Sequence, residues 1–372
     1  MFLFIRSSTN PGPRVSRIQR FLSARGERVV YLSPLRTGDC VTNDVERLGA
    51  LGEFDYFDGS GYFGYLRFLV LTNIRIVWFI FKNKSDIRFV HFSDLESVIL
   101  GGVACRVLGI RFIYNIHDNF FQRYAFIRGL SYLLRGLESF YILLSRITIV
   151  PERFRADAYP RYVQDKIAVI KNIPDFDVTC SRVPFSESVI KLFYGGWVSP
   201  NRSLELYLSL AQFLVAAGYD VEMNVCGWGS KDYIEDLGIE FSRLSVEFHY
   251  LGQLDQRSAV DLLKKSDISI AYYSPDKIIN LYAASNKIPE IIGSNTLLIT
   301  NSQTEIAKLL FPHDISFQFE RDISEIQSDL IEFLANPANI KGMVDRARSY
   351  YSENFSPDII NRDLEMVFKN VK

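Results

Sequence analysis

IRFVHFSDLESVILGGVACRVLGIRFIYNIHD, residues 87–118, carries the alternation that decides the fold. Residues 87–92 (IRFVHF) read as a short buried strand, 94–108 as a helix stopped by Gly109, and 110–116 (IRFIYNI) as a second strand. Two strands joined through a helix run parallel in one sheet, with a right-handed crossover. The same alternation extends in both directions. Upstream, 2–6 (FLFIR) is strand-like, and 13–25 has helical spacing at Val15, Ile18, Phe21 and Leu22. Gly26 stops that helix, and 28–32 (RVVYL) is the next strand. Downstream, a helical region at 119–145 leads to the short strand 146–150 (RITIV).

The pattern lapses over 171–190 (KNIPDFDVTCSRVPFSESVI), which carries two prolines, and then restarts. Strands are expected at 190–194, 220–226, 246–250, 267–272 and 296–300, with helices at 202–217, 256–265 and 286–292 between them. A chain of 372 residues is too long for one ordinary core and suits two α/β domains. The expected division is 1–172 as a Rossmann-like N-terminal domain, 173–189 as linker and 190–355 as a Rossmann-like C-terminal domain. Residues 356–372 would form a final helix able to pack back on the first domain.

Composition removes several classes. With 48% apolar and 23% charged residues, extensive disorder is not expected. A net charge of −1 argues against a dedicated nucleic-acid binder. The 29 Phe and 20 Tyr exceed what a core needs and point to an adhesive surface or a carbohydrate or lipid site. Cys40, Cys105, Cys180 and Cys226 lie far apart with no CxxC pair. They suit a reducing, cytoplasmic setting rather than a zinc site or disulfide framework. The start, MFLFIRSSTNPGPR, reads as strand and loop rather than signal peptide. Residues 61–82 (GYFGYLRFLVLTNIRIVWFIFK) approach the length of a span, but Arg67, Asn73 and Arg75 interrupt them, and a buried or membrane-skimming helix is expected instead.

Ligands of parallel sheets collect at the carboxyl ends of strands, so candidate residues are sought there. After the first strand, Gly12 lets backbone approach a phosphate, and a helix follows. After 110–116 comes His117-Asp118, a histidine placed to donate a hydrogen bond to a sugar hydroxyl. Asp94 is read as a cap of the next helix, and His91, His249 and His313 as structural. In the second half, Tyr194-Gly195-Gly196-Trp197 leads to Arg202 in what reads as the first turn of a helix, forming a diphosphate cradle. Gly227, in Cys226-Gly227-Trp228-Gly229, leaves room for a flat base. Tyr273, Asn280, Tyr282 and Asn286 precede a helix whose opening places Lys287 and Glu290 on one face, a cation for phosphate and a carboxylate for ribose. Each motif alone also fits a plain turn or an exposed ion pair.

Taken together these motifs resemble the retaining GT-B glycosyltransferases of the family-four type along nearly the whole chain. The resemblance rests on the NPGPR loop, HFSD, Tyr114-Asn115-Ile116-His117-Asp118, the linker from Lys166 to Asp175, and the two glycine turns. The most specific element is the donor loop Ser285-Asn286-Lys287-Ile288-Pro289-Glu290, which is similar to the family branch with a PNKxxE-like loop. It implies an α/β GT-B fold, with two parallel-sheet Rossmann-like domains facing a central cleft. It also implies transfer of a sugar with retention from a nucleotide-diphospho-sugar, a UDP-sugar before a GDP-sugar, without a metal or other cofactor. The acceptor would be a glycan, lipid-linked, in cell-surface polysaccharide synthesis at the inner face of the cytoplasmic membrane.

By the same resemblance His117 holds the donor sugar and Glu290 the ribose, while Gly12, Gly196, Arg202 and Lys287 surround the diphosphate. Trp197, Gly227, Tyr273, Asn280, Tyr282 and Asn286 serve the sugar and nucleoside. The chain departs from the family at two points. Tyr282 stands where the first acid of the E-x7-E motif would be, and Trp197 where the first phosphate-binding arginine would be. Lys287 replaces that charge, and Asn280 or Tyr282 contacts the sugar. Competing readings are a sugar-nucleotide epimerase and a non-catalytic sugar-nucleotide-binding protein. Residues 120–135 (FFQRYAFIRGLSYLLR) read as one basic, aromatic amphipathic helix, either packed in the core or lying on an anionic membrane.

Overall fold

The computed structural model describes residues 1–36, 46–54, 61–174, 176–186 and 188–369; Cys40 and Asp175 lie outside the described residues. The chain divides into two compact units, Met1–Asp175 with Asp358–Lys372, and Phe176–Pro357.

The first unit contains the strands β1 (Phe2–Arg6), β2 (Val29–Arg36), β3 (Glu46–Phe54), β4 (Phe89–Ser93), β5 (Arg111–Asn115), β6 (Ile147–Val150) and β7 (Ile167–Val169). They form one sheet in the order β3-β2-β1-β4-β5-β6-β7, every pairing parallel. Helices cover both faces of such a sheet, so its central strands are apolar on both sides. Leu3, Phe4 and Ile5 of β1 and Val90 and Phe92 of β4 are accordingly buried.

The second unit repeats the arrangement. Its strands are β8 (Val189–Val198), β9 (Asp220–Gly229), β10 (Glu247–Tyr250), β11 (Ile268–Ala271), β12 (Leu297–Asn301) and β13 (Ser316–Phe319), ordered β10-β9-β8-β11-β12-β13 and all parallel. In both sheets the order reverses once, between β1 and β4 and between β8 and β11. At such a reversal the flanking connections leave to opposite faces and a crevice opens beyond the strand ends.

Several expectations change. Residues 176–189, read as linker, group with the second unit. The buried Asp267 carboxylate accepts from the Arg182 guanidinium at 2.8 Å and from the backbone N–H of Phe185 at 2.6 Å and Lys191 at 2.8 Å, which fastens this segment down. The single amphipathic helix expected over 120–135 is two, Phe120–Arg123 and Arg128–Leu144. The break has a cause: the buried Glu138 carboxylate accepts the N–H groups of Phe120 and Phe121, pinning the short helix to the long one. Residues 61–82 do form one helix, Gly61–Lys82, but of its described side chains only Phe68, Thr72, Asn73, Ile76 and Ile80 are buried.

Candidate functional site

In the second unit the crevice is propped by a residue the sequence did not single out. β8 and β11 pair only at Leu192 and Phe193 and then part. Tyr207, from the helix Glu205–Ala216, fills the gap: its hydroxyl donates to the Phe193 carbonyl at 2.8 Å and accepts from the Ile270 N–H at 2.8 Å. The Phe193 carbonyl also accepts from the Ser269 hydroxyl at 3.0 Å, and the Tyr207 oxygen satisfies the buried Ile270 N–H where the strands no longer pair.

Beyond this prop lie two cavities. One, of about 300 Å³, is bordered by Gly196, Gly227, Gln256, Lys287 and Glu290. The other, of about 200 Å³, is bordered by Arg202, Tyr273, Asn280, Ser285 and Lys287. Lys287 belongs to both, as does Tyr207. Trp197, Tyr282 and Asn286 line neither.

Backbone shape forms the first cavity's wall. β8 and β9 stay in register through Gly196 and Gly227. Gly227 has φ 140°, and a Cβ there would lie 1.7 Å from the Gly196 carbonyl oxygen, so no other residue fits. Its N–H donates to the Gly252 carbonyl and its own carbonyl accepts from the Tyr250 hydroxyl, both at 2.8 Å. Gly196, at φ 139°, leaves the space beside it to Lys287, whose Nζ would be 3.4 Å from an added Cβ.

The charged groups perturb one another. Lys287 Nζ sits 4.9 Å from the Tyr194 ring centroid. Burial, with Arg202 adding to it and Glu290 opposing, pulls its pKa down to about 8. Glu290 is pushed up to about 7 by burial, against Gln256 and Lys287. Gln256, also unforeseen, donates to Glu290 Oε1 at 2.7 Å and fixes the carboxylate. Arg202 is not in a first helical turn as expected. It ends the 3-10 turn Pro200–Arg202, because Ser203 at φ 60° breaks the path into the helix. Its guanidinium stacks 5.1 Å from the centroid of the exposed Trp197 ring.

The loop before Lys287 is held by amides. Asn301, at the end of β12, accepts from the Tyr273 N–H and donates to its carbonyl, both at 3.0 Å. Asn280 donates to the Ser274 carbonyl at 2.9 Å. The Tyr273 ring is directed inward, and burial raises its hydroxyl to about 12.

The first unit carries its own cluster at the ends of β1, β4 and β5. Asp94 has φ 65° and ψ 162°, a backbone shape almost confined to glycine, and it makes no side-chain cap. The capping role expected for it is therefore replaced. Its carboxylate accepts from the His117 N–H at 2.9 Å and lies 3.2 Å from the imidazole Nδ1. Burial works to raise the Asp94 pKa, but His117 and Arg6 outweigh it and hold the carboxyl well below the usual range. Burial lowers His117 to about 4, with Asp94 opposing and Arg6 and Arg14 assisting. The ring is neutral at pH 7, with its proton on Nδ1 toward Asp94, so Nε2 is an acceptor. Asp118 is engaged by Arg155 at 2.8 Å and Arg123 at 3.5 Å. Gly12, at φ 75°, leads into the helix Pro13–Ser23, and an added Cβ there would meet the Arg6 guanidinium at 2.6 Å.

His91 is buried against Phe4, with ring centroids 4.5 Å apart. Among the described residues one group, Glu222, Glu247 and His249 on β9 and β10, has potential metal-ligand atoms within 4.8 Å of one another. None of the three lines either cavity.

No protein-family model and no curated protein matches this sequence. Solved structures do resemble the chain. HepE of Anabaena in complex with UDP superposes with a TM-score of 0.69 at 13% identity, over 99% of each chain. Sucrose-phosphate synthase of Thermosynechococcus elongatus gives 0.70 at 12% identity, over 100% of this chain and 99% of that one. WaaG, a glycosyltransferase involved in lipopolysaccharide biosynthesis, gives 0.65 at 12% identity, over 99% of each. At these identities the likeness establishes the fold: the chain is an α/β protein of GT-B architecture, with parallel sheets in both units.

Proposed function

We propose that this chain is a glycosyltransferase that takes a sugar from a nucleoside-diphosphate sugar bound in its second unit. One observation carries the reading. Arg202 and Lys287 border one cavity, and Lys287 and Glu290 border the next, beside two glycines that keep the backbone open. Two cations around one space suit a diphosphate, and a carboxylate fixed by Gln256 suits a ribose diol. HepE, of the same fold, is solved with UDP and with UDP-glucose, which supports UDP as the carrier here.

In this reading the bond from the anomeric carbon to the departing diphosphate oxygen breaks. Lys287 and Arg202 stabilise the charge left on that oxygen, without need of a metal. The acceptor hydroxyl adds to the same face, with retention, and its proton passes to the departing phosphate. His117, as a neutral acceptor through Nε2, would orient a hydroxyl of the donor sugar; Glu290 positions ribose and forms no covalent bond. The acceptor is a glycan, lipid-linked and destined for the cell surface, reached from the cytoplasmic side. The architecture shared with WaaG supports that class.

The test is calorimetric titration with a panel of UDP- and GDP-sugars, followed by product analysis with and without glycan acceptors. Arg202→Ala and Glu290→Ala are expected to abolish transfer in folded protein. Full transfer in either variant removes that residue from the site. A changed sugar without acceptor identifies an epimerase, and binding without turnover a non-catalytic binder.

A further inference from the structure

The helix Gly61–Lys82 buries Phe68, Ile76 and Ile80 in the first unit, yet it turns a full stripe of large apolar side chains to the outside. Phe63, Leu66, Val70, Ile74, Trp78 and Phe81 are all exposed, at the three- and four-residue spacing of one helix face. Burial against the unit explains none of them. The neighbouring helix Leu95–Val107 adds Leu100, Val103 and Val107, the last 79% exposed. The next, Arg128–Leu144, adds Leu133, 69% exposed, with Phe140 and Leu143.

These three helices are packed side by side. Gly101 brings the second against Ile76 of the first, and Gly102 brings it against Tyr141 of the third. Half of the exposed large apolar side chains among the described residues lie on these three helices. Such concentration marks a docking surface, whereas scattered exposed apolar residues would need no explanation.

Charge identifies the occupant. The three helices expose Arg67, Arg75, Lys82, Arg106 and Arg128 and no acidic side chain. Their only acids are inward: Glu138 is buried, and Glu96 accepts from Ser7 at 2.6 Å and Tyr65 at 2.8 Å. Lys82 Nζ lies 4.9 Å from the Trp78 ring centroid, joining an indole to a cation as residues do at a bilayer interface. A second copy docked on the same face would set cation against cation. Spanning would require stripping Phe68, Ile76 and Ile80 from the core, along with Asn73, which donates to the Glu96 carbonyl at 2.8 Å and accepts from the Leu100 N–H at 3.0 Å.

We propose that this three-helix face lies on the surface of an anionic lipid bilayer, its apolar stripe immersed at the headgroup level and its cations on lipid phosphates. The proposal stands on this face alone and does not depend on the donor site.

The experiment is flotation of the full chain with phosphatidylcholine vesicles, with and without phosphatidylglycerol. Wild type is expected to float with the anionic vesicles and to stay behind with the neutral ones. Ile74→Glu/Trp78→Glu should lower the bound fraction about tenfold or more, and Arg67→Gln/Lys82→Gln roughly tenfold. All substituted residues are exposed, so an unchanged melting temperature checks the fold. Three results overturn the proposal: no flotation with either vesicle, flotation of Ile74→Glu/Trp78→Glu equal to wild type, or a dimer by light scattering that the same double variant dissolves while wild type does not float.

Discussion

Asp94 and His117 are joined twice: one carboxylate oxygen accepts the His117 N–H at 2.9 Å and stands 3.2 Å from Nδ1 of its ring. The pairing fixes both the position and the tautomer of the imidazole. Asp94 accepts a glycine-like backbone in order to reach it. If His117 orients the donor sugar, His117→Ala should cut turnover by about a hundredfold. Asp94→Asn should cut it by about tenfold with little change in donor affinity. The double variant should be no slower than His117→Ala alone, because Asp94 acts through the ring. Steady-state kinetics with titrated donor binding decides this. Additive losses would separate the two residues.

Donor affinity should be highest between about pH 7 and pH 8. Glu290, raised to about 7 by burial, is protonated below that pH and loses its capacity as an ionised acceptor. Lys287, lowered to about 8, is uncharged above that pH, where a bound diphosphate must recover the proton. Affinity should therefore fall on both sides, by up to about tenfold per unit on the alkaline side. Glu290→Gln should flatten the acid limb and Lys287→Arg the alkaline one. Calorimetric titration across pH 5.5 to roughly 9.5 reads both limbs. His117, neutral above about 4, contributes no limb in this range.

Gly227→Ala should be costly. Its Cβ would fall on the Gly196 carbonyl oxygen, which is backbone and cannot swing aside. We expect a loss of about 3 kcal/mol or more, together with loss of donor binding. Gly218→Ala, also at positive φ but facing open space, should cost about 1 kcal/mol and leave binding intact. Thermal melts of the two variants make the comparison.

Asp267→Ala should destabilise the second unit by about 3–5 kcal/mol, because it leaves the Arg182 charge without its carboxylate and orphans two N–H groups. Limited proteolysis should then cut within 176–189 first. A cut elsewhere would mean that this segment is held by other contacts.

Much of the fold could be read from composition along the chain, since strands buried on both faces write themselves as apolar runs such as FVHF and FIYN. Glycines 26 and 109 marked helix ends for the same local reason. β7, three residues long, and β3, with ERLGALGEF lacking a β-branched run, gave no such signal. Glycine turns and the Lys287–Glu290 pair were legible because their spacing is local. Tyr207, Gln256 and Asn301 were not, because each acts on residues distant in sequence. Nor does periodicity reveal that Asp94 serves His117 rather than its own helix, or that residues 63–81 turn their apolar stripe outward. A helix apolar on nearly all sides looks the same to either solvent.

Lys287 is the party wall of two rooms, and this gives the donor pocket a property that neither room has alone. Whatever neutralises its ammonium from one side alters the field felt on the other. Nucleoside and sugar-phosphate fragments added together should consequently be sensed as partners, and their combined grip should differ from the sum of the two measured apart.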